Sequence, residues 1–151
     1  MRTLARIEDR GRILARLSNL TAAHRARWGR LNAREVVCHL ADSFRVGLDE
    51  RQARPAENVF TRTLVKWIGL YGPVPWPHGV PTRPEVVPHR QGTRPFDFAA
   101  DHAALRELLE RFSAPNARLA PRHPIFGPMS RDDWQRWGYL HMDHHLRQFG
   151  A

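Results

Sequence analysis

Three of the nine histidines in this 151-residue chain lie within five positions near its end, at His141, His144 and His145. In a helix of about 3.6 residues per turn, His141 and His145 are separated by roughly 40° around the axis and about 6 Å along it, so both imidazoles can reach one ion. His144 lies about 60° to the other side of His141 and offers an alternative pair. The spacing predicts two metal ligands on one helix, with a partly exposed histidine cluster that binds no metal as the alternative.

A third ligand is expected from a facing helix, and His39 meets this requirement. It lies between Val37 and Leu40, where an unpaired imidazole would be unfavourable. Taken alone, His39 is better explained as a core histidine bonded to a backbone carbonyl, but together with His141 and His145 it favours a metal site. Three neutral imidazoles leave positions open for water or substrate, unlike a closed structural zinc site. Zn, Ni and Fe all suit such ligands, so the divalent metal is not identified.

Four further side chains lie close in sequence to the candidate ligands. Asp42 and Gln148 each follow a candidate ligand by about one helical turn, so either could orient a ligand or a bound water, with a solvated or capping role as the alternative. Asp143 points away from the histidine pair and is expected to pair with an arginine on the surface. Cys38 leaves its helix about 100° from His39 and is expected in the core rather than as a nucleophile.

The other histidines are expected in loops or at the surface, namely His24, His78, His89, His102 and His123. Of these, His78 and His89 would line a pocket if the segment between the predicted helices folds over the site. Trp134 and Trp137 lie about two turns and one turn before the histidine cluster and are expected to pack in the core.

Helical periodicity dominates the sequence, and no stretch shows sustained alternation of apolar and polar residues, so the predicted fold is all-α. Asn32 with Glu35, and Ser130 with Asp133, have the spacing of capping boxes, and Asp97 can cap another helix. The predicted main helices cover residues 2–19, 33–49, 97–112 and 131–148. An accessory helix is predicted at 58–71, with five apolar residues expected to pack against the rest: Val59, Leu64, Trp67, Ile68 and Leu70.

A proline-rich segment, residues 72–95, connects the accessory helix to the next main helix. Its seven prolines exclude a continuous helix. Trp76, Val86 and Val87 would be costly to leave in water, so the segment is expected to be ordered and to cover part of the fold. Four main helices joined by such a long crossover predict a four-helix bundle, an architecture in which metal sites are built from facing helices.

Composition limits the function classes. A single domain, residues 1–151, is expected, large enough to bury a core without disulfides. The one cysteine excludes an internal disulfide framework and fits a reducing cytosol. No segment has the length and apolar character of a signal peptide or a membrane span, so a cytoplasmic protein without a membrane partner is expected. The formal charge of +9 comes from dispersed arginines without a recognised binding module, so nucleic acid is not an expected partner.

Two parts of the chain resemble the DinB/YfiT-like superfamily. The first runs from Trp28 to Ser43, and the second is His-Met-Asp-His-His-Leu-Arg-Gln-Phe-Gly at 141–150. The chain is most similar to a subgroup with a His-Pro-x-Phe-Gly segment, here His123 to Gly127, before a last helix that contains a tryptophan, here Trp134.

This resemblance implies an up-down-down-up four-helix bundle in which His39, His141 and His145 hold a divalent metal ion. Relatives include S-transferases and isomerases that use mycothiol, bacillithiol or glutathione, and homodimers are frequent. The expected function is a metal-dependent enzyme that activates a low-molecular-weight thiol toward a small-molecule substrate, with S-transfer as the reaction. A metal-dependent hydrolase that activates water, and a non-catalytic ligand-binding or stress-response module, are the alternatives.

Overall fold

The computed structural model describes residues 1–80 and 82–151 and is mostly helical, with 53% of residues in helices. Its α-helices are α1 (Ile7–Asn19), α2 (Ala33–Gly47), α3 (Lys66–Tyr71), α4 (Phe98–Ser113) and α5 (Arg131–Phe149). A π-helical turn, Thr61–Val65, leads into α3, and a 3-10 turn covers Pro84–Val86. A two-stranded antiparallel sheet pairs β1 (Arg122–His123) with β2 (Gly127–Pro128).

Local capping interactions start three of the helices. The side chain of Asn32 accepts from the Glu35 amide, and the Glu35 carboxylate accepts from the Asn32 amide. Ser130 and Asp133 form the same reciprocal pair at the start of α5. Asp97 caps α4. These side chains satisfy amide groups that have no partner inside the helix, which is why the predicted starting points were correct.

Helix α5 holds the fold together, because α1, α2 and α3 all pack against it and α2 also packs against α4. The core between them is built from large apolar side chains that are fully buried, among them Leu4, Ile13, Leu17, Phe44, Phe112, Trp134, Met142 and Leu146. Trp134 satisfies its indole N–H with the Ala120 carbonyl at 2.7 Å. The predicted core packing of Trp134 and Trp137 is confirmed.

Two of the predicted helix bounds are wrong by more than one residue. The first helix begins at Ile7, not residue 2, because the Leu4 amide donates to the Gln135 carbonyl on α5 and buries the Leu4 side chain. The second ends at Gly47, not residue 49, where the chain turns through Asp49 with a φ of 60°. The all-α prediction is correct for the described residues apart from the small sheet.

The accessory helix forms close to its predicted position, but its predicted packing is correct only for Leu70. Leu70 is buried, whereas Val59, Leu64, Trp67 and Ile68 are exposed. Polar bonds also attach α3 to α5: the Lys66 ammonium donates to Asp133, and a guanidinium of α5 donates to the Leu70 carbonyl. The apolar face of the helix therefore points outward.

The proline-rich segment packs over the helices, as predicted for its described residues; Pro81 lies outside them. Val86 and Val87 are buried, and Trp76 is half-buried, with its indole N–H 2.6 Å from the Gly69 carbonyl. Such burial of apolar side chains and pairing of polar groups is typical of an ordered excursion. Within the described chain, none of the helices has the length and apolar character needed to cross a membrane.

Two helical glycines provide a matched test of the packing. An added Cβ at Gly47 would lie 2.6 Å from Phe112 Cε2, a rigid neighbour, whereas one at exposed Gly11 would meet nothing within 4 Å. Gly11→Ala should raise the free energy of unfolding by about 0.5–1 kcal/mol, and Gly47→Ala should lower it by about 1–3 kcal/mol. Urea denaturation measures both, and equal effects at the two positions would contradict the packing described here.

Candidate metal centre

The structure brings together the three predicted ligands, His39 from α2 and His141 and His145 from α5. One nitrogen of each ring lies within 4.8 Å of the other two. The Nε2 atoms of His39 and His141 are 3.2 Å apart, and the ring centroids of His39 and His145 are 4.9 Å apart. Their predicted convergence is therefore confirmed, and the arrangement could hold a metal ion.

The tautomer of His39 is set by a backbone carbonyl of the proline-rich segment. Its Nδ1 lies 2.9 Å from the carbonyl oxygen of Val86, and a carbonyl can only accept, so Nδ1 carries the proton. In a neutral imidazole the other nitrogen then has a free lone pair. One nitrogen of His39 therefore bonds to a carbonyl, as the core-histidine interpretation predicts, and the other nitrogen faces the candidate site.

Gln148 sets the tautomer of His145 in the same way. The Gln148 Nε2 donates to the Trp28 carbonyl at 2.6 Å, which orients the amide so that its Oε1 faces the histidine. This Oε1 lies 2.8 Å from Nδ1 of His145, which therefore carries the proton and leaves Nε2 with a lone pair. Orientation of a metal-binding histidine through its second nitrogen is typical of protein metal sites.

The spacing of the nitrogens fits a shared cation. Two ligand nitrogens about 2.0–2.1 Å from a tetrahedral zinc ion are about 3.3 Å apart, and Nε2 of His39 and Nε2 of His141 are 3.2 Å apart. Two lone pairs at this distance require a proton or a cation between them. If a cation takes that place, the His141 proton moves to Nδ1, which is buried and has no hydrogen-bond partner among the described residues.

Burial keeps the three imidazoles neutral, which is the form that binds metals. It lowers the pKa of His39, against the raising effect of the Val86 carbonyl. It lowers the pKa of His141 and His145 well below the ordinary value, and the neighbouring imidazoles of the cluster lower both further. The site is therefore a set of uncharged nitrogen donors near neutral pH.

Aromatic rings surround the three ligands. The rings of Trp137 and Trp76 lie 4.8 Å and 5.9 Å from that of His141. Trp28 stacks on His78 with centroids 4.0 Å apart, and His144 lies between this pair and Trp76. His39 and His141 are buried and His145 is half-buried. The accessible side of the site is therefore the side that His145 shares with His144 and these rings.

The other candidate side chains have different outcomes. Gln148 contacts His145, in agreement with the prediction that it could orient a ligand. Asp42 does not orient a ligand, because its carboxylate accepts from Thr93 and Arg45 and forms an ion pair with Arg51. Asp143 pairs with arginines as predicted. Cys38 is buried, and burial together with nearby Asp101 and Asp42 raises its pKa to about 12, in agreement with its predicted core role.

The remaining five histidines lie in different environments. The prediction for His123 was wrong: it is buried, its Nδ1 accepts from two backbone amides, and burial and the nearby Lys66 lower its pKa to about 3. His78 reaches the rim of the candidate site, whereas His89 lies apart from it beside Glu35. His24 and His102 form local and backbone hydrogen bonds elsewhere.

Sequence reasoning missed the contributions of Val86 and Trp28. The Val86 carbonyl is a backbone group and leaves no signal in the sequence of side chains. Trp28 uses both its carbonyl and its ring, and its place shortly before the predicted helix that carries His39 was the available signal that it lies close to the site.

Comparison with known protein families identifies one match over almost the whole chain. Residues 2–151 match the family described as "Protein of unknown function (DUF1569)", and the chain belongs to that family. Neither the curated proteins nor the solved structures include a match.

Gln148 should act as a positioning residue for the metal. Gln148→Ala should weaken metal affinity by about 10–100-fold, because the proton on His145 Nδ1 loses its acceptor. Competition with a chromophoric chelator measures the affinity, and Gln91→Ala, at an exposed glutamine, is the control. Identical affinities for Gln148→Ala and the control would show that the hydrogen bond does not position the ligand.

The lowered pKa values also predict how stability depends on pH. Unfolded histidines take up protons near pH 6.5, while the folded cluster resists protonation to lower pH. Stability is therefore complete above about pH 6.5 and falls as the pH drops below it, by up to about 1.4 kcal/mol per pH unit for each such histidine. Urea titrations in chelator should show this fall, with a shallower slope for His141→Phe. A flat profile from pH 7 to 5 would contradict it.

Proposed function

We propose that this chain, as a member of the DUF1569 family, is a metal-dependent enzyme in which His39, His141 and His145 hold a divalent ion that activates a thiol or water. The observation that carries the proposal is the convergence of three imidazole nitrogens within 4.8 Å, two of them with protons fixed on the opposite ring nitrogen. Lone pairs aimed at one another are unfavourable unless a proton or a cation lies between them, and a cation can serve all three nitrogens at once.

Three protein ligands suit a reactive site better than a structural one. Structural zinc sites are closed by four protein ligands, whereas catalytic sites keep a position for water or substrate. Within the described residues, the candidate metal-ligand groups at this place are the three histidines alone. When bound, a divalent ion here would lower the pKa of a thiol or water and supply a nucleophile near neutral pH.

The protein's own residues would hold the ion, shield it from bulk water and admit a small-molecule substrate. Val86 and Gln148 fix the ligand rings, and the buried faces of His39 and His141 exclude bulk water. The half-buried side near His145 is where a small-molecule substrate would approach, between the rings of Trp28 and Trp76. These flat apolar walls suit a small organic molecule better than a polymer.

The thiol version is preferred through resemblance to the DinB/YfiT-like superfamily. On this proposal α1, α2, α4 and α5 form an up-down-down-up four-helix bundle in one domain, and the reaction is thiol-dependent S-transfer. Zn, Ni and Fe all remain candidates for the divalent metal, because neutral imidazoles suit each of them.

A test uses the cobalt-substituted protein and a panel of thiols. Mycothiol, bacillithiol or glutathione should produce a near-ultraviolet charge-transfer band, and one of them should accelerate the consumption of a model electrophile. His39→Ala should remove the bound metal and both signals as severely as His141→Ala or His145→Ala, because each contributes one ligand. His144→Ala should be mild, and His89→Ala, at an exposed histidine outside the site, is the matched control.

The outcomes separate the alternatives. Metal-dependent ester or amide hydrolysis without any thiol response would overturn the S-transferase assignment in favour of a hydrolase. Metal binding with neither response would favour a non-catalytic ligand-binding module. Unchanged metal content in His39→Ala would overturn the site itself.

A further inference from the structure

The closest ring contact in the described structure joins Trp28 to His78 at the accessible side of the candidate metal centre. The ring centroids are 4.0 Å apart and the ring planes are inclined by 12°, so the two rings lie face to face. His78 belongs to the proline-rich segment, and its side chain is exposed. Its nitrogens form no hydrogen bond with the described residues, so stacking on Trp28 is what holds this imidazole in place.

The Trp28 side of the stack is firmly attached to α5. The Trp28 carbonyl accepts from the Gln148 side chain at 2.6 Å, and the amide of the preceding residue donates to the Gln148 carbonyl at 2.8 Å. Gln148 is also the residue that orients His145. The Trp28 ring therefore has a fixed position relative to the candidate ligands, and His144 lies between it and His145.

The His78 side of the stack is attached much less. Among the described residues 73–80, the Trp76 indole is the one group with a hydrogen bond to a helix. Gly79 follows His78 with a φ of 76°, and an added Cβ there would meet nothing within 4 Å. His78 can therefore leave the face of Trp28 while few contacts other than the stack are lost.

The stack also leaves the Trp28 indole incompletely satisfied. Its Nε1 is buried and has no hydrogen-bond partner among the described residues. A buried donor without an acceptor is unfavourable. His78 thus covers the face of the indole but does not pair its edge, whereas a flat ligand with a polar substituent that reaches the edge would satisfy both.

The charges around the stack disfavour a cationic ligand. Residues 10–34 contain seven arginines and no Asp or Glu, and Arg27 and Arg30 lie within two residues of Trp28. In the histidine-rich stretch of α5 the one carboxylate is that of Asp143, which is paired with two arginines. A positive surrounding favours an uncharged or anionic ligand over a cation bound to the indole face.

We propose that Trp28 is the stacking platform for a planar aromatic group of the substrate, either uncharged or acidic, and that His78 occupies this place until the substrate replaces it. An aromatic ring on an indole gains a favourable pair interaction beyond the burial of apolar area. The reacting end of the substrate would then point toward the accessible side of His145. The proposal rests on the proposed function for the reaction, but the binding itself does not require the metal.

A matched pair of ligands tests the platform. Naphthoate and decahydronaphthoate share a skeleton and a charge, but only naphthoate is flat and aromatic. Equilibrium dialysis with the full chain, with and without Zn, should show that naphthoate binds about 2- to 10-fold more tightly, the effect of one aromatic pair. Trp28→Leu should abolish this preference and Trp28→Phe should keep part of it. Trp67→Leu, at an exposed tryptophan outside the site, is the control.

A second variant tests the exchange of His78 for the ligand. His78→Ala should raise the affinity for naphthoate by about 2- to 10-fold, because a ring that competes for the same face is removed. A purely structural role for His78 would give the opposite sign. His89→Ala, at an exposed histidine outside the site, should leave the affinity unchanged. Circular dichroism checks that each variant is folded, and the ligand pair tests the wild type without any variant.

The outcomes are distinct. Equal affinities of the wild type for the two acids would overturn the platform, and weaker naphthoate binding by His78→Ala would overturn the exchange. Naphthylmethylammonium that binds as tightly as naphthoate would overturn the assigned charge of the substrate. A chain that binds no metal would overturn the proposed function, but the preference for naphthoate would persist, so the two failures can be told apart.

Discussion

The hydrogen bond from His39 Nδ1 to the Val86 carbonyl is the contact on which the candidate metal centre depends. It is 2.9 Å long, it is buried, and it joins residues 47 positions apart. Both groups would be costly to bury without a partner. Their pairing fixes the proton on the outer nitrogen of the ring and turns the lone pair of Nε2 toward His141 and His145. The same bond fixes the proline-rich segment over the helices.

Asp42 supports this contact by anchoring the segment that carries Val86. Its carboxylate accepts from the backbone and hydroxyl of Thr93 and pairs with Arg51, whose guanidinium also donates to the carbonyls of Glu85 and Gln91. These bonds hold the segment on both sides of Val86. The acidic residue one turn after His39 is therefore not a ligand; it anchors the loop that orients one. This accounts for a fully buried aspartate close to neutral imidazoles.

The parts of the structure that depend on neighbours in sequence were predictable. The pairing of His141 with His145 follows from helical geometry, and the helix starts follow from capping residues three positions apart. His39 could be selected because an apolar helix face gives an imidazole few other roles. The Val86 carbonyl could not be predicted, because every residue carries a carbonyl and only tertiary packing decides which one reaches the ring.

The errors have a common physical origin. The apolar pattern of the accessory helix correctly indicated one apolar face, but a pattern does not specify what covers that face, and Trp67 points outward. His123 was expected at the surface because it lies in a loop. Stacking on Phe126 and two amide donors to its Nδ1 make its burial favourable, and neither depends on a helical period.

X-ray absorption spectroscopy at the metal edge, on protein purified without an affinity tag, tests the central claim most directly. The account predicts about one divalent ion per chain, with three imidazole nitrogens at about 2.0–2.1 Å and at least one further light-atom ligand. The imidazole signal should disappear in His39→Ala. A chain that retains no metal after exposure to Zn, Ni or Fe, or a spectrum that requires a different set of protein ligands, would contradict it.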